Sequence, residues 1–91
     1  MQNIDANDVW TLVSYIQGWR NNGYTYDYRD ECRRVAVGMA ARIQSSLRET
    51  GVTMSTFAEW VEENVTFHHE IKEDWASMVI RGVWSGGLRF V

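Results

Sequence analysis

The chain has 91 residues, 45% of them hydrophobic, and a formal net charge of −3. That apolar content excludes a disordered chain, and the length allows one domain, residues 1–91, with one modest core. Nothing in the overall charge draws the chain to nucleic acid or to an anionic membrane.

The first helix is expected to start near Asp5 or Asn7, both good N-caps. Val9, Leu12, Val13, Ile16 and Trp19 follow at helical spacing and form one apolar stripe. Trp10 falls a quarter turn or more off it. Asn21-Asn22-Gly23 ends the helix, with Gly23 able to take positive φ. Tyr24, Tyr26 and Tyr28 then alternate with polar residues, the rhythm of a strand. No second alternating run offers a partner, and a lone strand leaves its backbone groups unpaired. The stretch therefore reads as an extended connection into a second helix near Asp30, where Asp30 and Glu31 suit the positive helix end.

Cys32, Val35, Ala36, Met39, Ala40, Ile43 and Leu47 give the second helix an apolar face. The small Ala36, Gly38, Ala40 and Ala41 let another helix come close. Arg33, Arg34 and Arg48 lie on the far side, and Gly51 ends the helix at C′. A third helix starts within Thr53–Trp60: Thr56 and Glu59 have capping-box spacing, and Thr53 or Ser55 is the alternative cap. Phe57, Val61 and Val65 face inward there, and Glu59, Glu62 and Glu63 share the outer face. Thr66 is expected to cap a fourth helix with the stripe Phe67, Ile71, Trp75, Met78 and Gly82. Glu70, Glu73 and Asp74 then lie outside, and Ile80 and Trp84 fall off the stripe. Ser85-Gly86-Gly87 breaks this helix. The expected fold is all-α: a compact bundle of about four helices with a short extended C-terminal tail.

Cys32 is the single cysteine, so no intramolecular disulfide can form, as expected of a reducing compartment. The N-terminal segment has no basic stretch followed by an apolar run, and no run is long enough to span a bilayer. The expectations are no signal peptide, no membrane partner and a cytoplasmic location.

Catalytic constellations are sparse. The glycines near the C-terminus precede no helix that could supply amide donors to a phosphate. His69 and Glu73 share a helix face and, with His68, Glu70 or Cys32, have the donor chemistry of a metal site, but three or four converging ligands are needed. A Cys32–His68 nucleophile pair would require a thiol on the core face, where thiols are inert. The carboxylates lie on outer faces that leave their pKa values unshifted. No enzyme activity, metal or cofactor is expected.

Binding is the better fit. Five tryptophans in so short a chain either fill a small core or mark an exposed binding surface. Trp10, Trp84, Tyr24, Tyr26 and Tyr28 stand off the stripes, beside Arg33 and Arg34, and Trp, Tyr and Arg carry most interface energy. Glu59, Glu62, Glu63, Glu70 and Glu73 would oppose a basic partner surface, or imitate rows of phosphates. The expected partner is a protein or nucleoprotein complex, with a homodimer through exposed tryptophan as the competing outcome. In size and charge alone, the chain is similar to small acidic proteins with which phages and mobile elements block host defence complexes, CRISPR and restriction systems included. That likeness implies an inhibitor.

A second resemblance is to the helix-turn-helix of bacterial repressors. Gly51, Val52, Thr53, Phe57 and Ala58 resemble that family's Gly–apolar–Ser/Thr approach to an apolar–Ala pair, over about a quarter of the chain. It implies DNA binding through residues 66–75. The family's glycine after the Ala is absent, and three carboxylates on that segment oppose phosphate, so direct DNA binding is the alternative.

Overall fold

A computed structural model describes residues 4–67 and 73–88 of the chain, with backbone only at Glu73 and Asp74. Four helices are present among these residues, and no strand: α1 (Ala6–Arg20), α2 (Tyr26–Thr50), α3 (Met54–Asn64) and α4 (Glu73–Ser85). The all-α expectation holds.

Short polar side chains set the first three starts. Asp5 accepts from the Asn7 amide at 2.8 Å, Thr25 from Tyr28 at 3.3 Å and Thr53 from Thr56 at 3.2 Å. Each oxygen satisfies an amide that has no partner within its helix. α2 ends at Gly51, whose φ of 64° lies in the left-handed region and whose N–H donates to the Leu47 carbonyl at 3.0 Å.

The start of α2 corrects the sequence reading of the tyrosine stretch. Tyr26 and Tyr28 are helical, and only Asn21–Thr25 connects α1 to α2. Thr25 supplies a cap and Asp27 an anion in the first turn, and these outweigh the alternation of the rings. Nor does Gly23 take positive φ. Its amide donates to Oδ1 of Asn21 at 2.9 Å, and a Cβ there would stand 3.1 Å from that same oxygen.

α1 and α2 form an antiparallel hairpin. Its register is visible at both ends: Gly18 faces Cys32 near the loop, and Asp8 lies 3.9 Å from Arg42 far from it. Val9, Leu12, Val13 and Ile16 of α1 are buried with Cys32, Ala36, Ile43 and Leu47 of α2. A Cβ on Gly18 would sit 2.9 Å from the Cys32 sulfur, so the bare glycine permits the close crossing. The small residues Gly38 and Ala41, by contrast, face outward, and a Cβ on Gly38 would meet open space.

α3 packs against α1 and α4, and α4 against α2. Phe57, Val61 and Val65 are buried as their spacing predicts, Val65 as the residue that ends α3. The fourth helix differs from the sequence reading twice. Thr66 and Phe67 lie outside any helix, so Thr66 is not the cap of α4, and Ile71 lies outside the described residues. The buried face of α4 is Ala76, Val79, Ile80 and Val83, while Met78 is 57% exposed. Those four recur at i, i+3, i+4 and i+7, a stripe as regular as the expected one. It prevails because β-branched side chains reach the core from it, leaving the flexible Met78 at the surface. The tail turns back at Gly86, with φ 79°, and the Leu88 amide donates to the Gly82 carbonyl at 3.2 Å. Leu88 thereby packs on the core beside α4. No described helix is long and apolar enough to cross a membrane.

Candidate functional site

α2 has 25 residues, about 37 Å at 1.5 Å per residue, which nearly matches the 38 Å long axis of the molecule. Its two ends therefore mark two poles. The first pole is the α1–α2 turn. Tyr24 and Tyr28 meet there edge to face, with centroids 4.9 Å apart and planes at 77°. Both are 48% exposed, and Tyr26 is 78% exposed on the first turn of α2. Three large rings are thus held outside the core by a capped helix start.

The scaffold beneath them is cross-braced. Nε of Arg29 donates to the Trp19 carbonyl at 2.9 Å, tying the first turn of α2 to the last turn of α1. A cation at a helix C-terminus also suits the helix dipole. Arg20 stands over the Trp19 ring at 5.7 Å. The Cys32 side chain, one turn along α2, bonds the Tyr28 side chain and raises the phenol above its ordinary value of 10.0; burial and the neighbouring Tyr24 and Tyr15 push the same way. Cys32 itself is buried against Gly18, which is no place for a nucleophile.

Of the cations expected beside the tyrosines, Arg34 pairs with Asp30 at 3.1 Å one turn back, and Arg33 is half-buried and engaged. Trp19, Arg20 and Arg29 belong to the pole but are absent from the expected set. The detectable signal was Trp19 closing the α1 stripe next to Arg20, with Arg29 one residue past Tyr28.

Trp84 lies at the opposite pole. Its indole N–H donates to the Val52 carbonyl at 2.9 Å, joining the end of α4 to the α2–α3 connection. Its ring is part of the framework, though 39% exposed. Trp10 is equally exposed, on α1. All five tryptophans are half-buried or exposed, so they line the margin of the core and none fills its centre. Glu59, Glu62 and Glu63 are exposed along α3. Glu73 opens α4, and Glu70 lies outside the described residues. The expected site residues therefore divide among a tyrosine pole, an acidic edge and a tryptophan clamp.

His68 and His69 also lie outside the described residues. Among the described ones, no three His, Cys, Asp or Glu gather with the geometry of a metal site. Comparison with protein-family models, curated proteins and solved structures found no match.

Proposed function

We propose that this chain is a small protein-binding module whose working surface is the pole formed by Tyr24, Tyr26 and Tyr28. The observation that carries this reading is the exposure of three rings on and just before a helix start fixed by its own cap and by the Arg29–Trp19 tie. Tyr offers large, rigid contact area at low entropic cost, and arginine beside it adds planar hydrogen bonding. Pre-organised rings lose little freedom when a partner covers them.

The partner best suited to the rest of the surface is a nucleic-acid-handling protein or nucleoprotein complex, blocked in the manner of a phage-type inhibitor. Its basic surface would meet Glu59, Glu62 and Glu63 while the tyrosines supply the anchors. A photoreactive phenylalanine analogue placed at position 26 tests the reading in extract. Covalent capture of one protein, competed by the unmodified chain, supports it. A chain that retards duplex DNA at low salt, with retardation lost steeply as salt rises, is a DNA-binding regulator instead.

A further inference from the structure

We draw no further inference here: the strongest candidate, the apolar cleft between α1 and α4 walled by Ile16, Trp19, Met78, Val79 and Leu88 with Arg20 at its rim, carries nothing because nothing in the structure shows what covers it.

Discussion

The α1–α2 hairpin and the α3–α4 pair are both built from apolar stripes, but they close differently. In the hairpin, Gly18 lets the Cys32 sulfur come within contact of the α1 backbone, and Arg29 ties the two helices at their turn. The charges of the hairpin, with its Asp5 cap, cancel. In the pair, α3 and α4 leave a groove between them, and their half of the chain holds the whole negative charge. The tight half carries aromatic rings it does not bury, and the α3–α4 half leaves an apolar groove among the described residues. The rings proposed for recognition thus sit outside the core, at the pole of the tighter half.

The largest effect should come from the core shared by both halves. Phe57 is the largest fully buried side chain among the described residues, and Phe57→Ala should cost about 3–5 kcal/mol. Denaturant unfolding followed by far-UV circular dichroism and by tryptophan fluorescence should still give one coincident transition. Two separated transitions would show that the hairpin folds without the pair.

Next in size is the hairpin crossing. Gly18→Ala should destabilise by about 1–3 kcal/mol, because the added methyl meets the Cys32 sulfur and α2 must shift. Gly18→Ala with Cys32→Ala should recover part of the loss. Gly38→Ala, on the open face of the same hairpin, should instead stabilise by about 0.5–1 kcal/mol. If both glycine substitutions destabilise alike, the crossing is not where Gly18 places it.

At the far pole, Trp84→Phe keeps an aromatic ring but removes the indole N–H and its bond to Val52, at an expected cost of about 1 kcal/mol read from the denaturant midpoint. The smallest effect is on the alkaline side. The phenol of Tyr28 is raised in the folded state, so the neutral form is favoured there. Its contribution is complete below the ordinary value of 10.0 and is lost as pH rises through the higher folded value. Midpoints measured from pH 9 upward should decline more for the wild type than for Tyr28→Phe.

Much of this fold was legible in the residues. The stripe of α1, the apolar face of α2, the inward Phe57, Val61 and Val65, and the Gly51 stop all stand where spacing puts them. What misled was local competition between two valid patterns. The alternating tyrosines suggested extended backbone, and the Thr25 cap with Asp27 in the first turn decides for helix. On α4 two stripes share the same turns, and only the position of the neighbouring helices selects Val79, Ile80 and Val83 over Met78. The candidate site was legible as a list of exposed rings and carboxylates but not as a map. That Tyr26 and Trp84 mark opposite poles follows from the uninterrupted length of α2, which the expected start near Asp30 understated.

The central claim is that the tyrosine pole binds and does not hold the fold together. Tyr26 tests it most directly, because its ring is 78% exposed. For Tyr26→Ala, the melting temperature and the binding of the partner captured at position 26 should be measured on the same sample. The expected result is a stability change within about 0.5 kcal/mol, a shift of roughly 2–4 °C, together with a clear loss of binding. A large drop in melting temperature, or binding equal to the wild type, would contradict it.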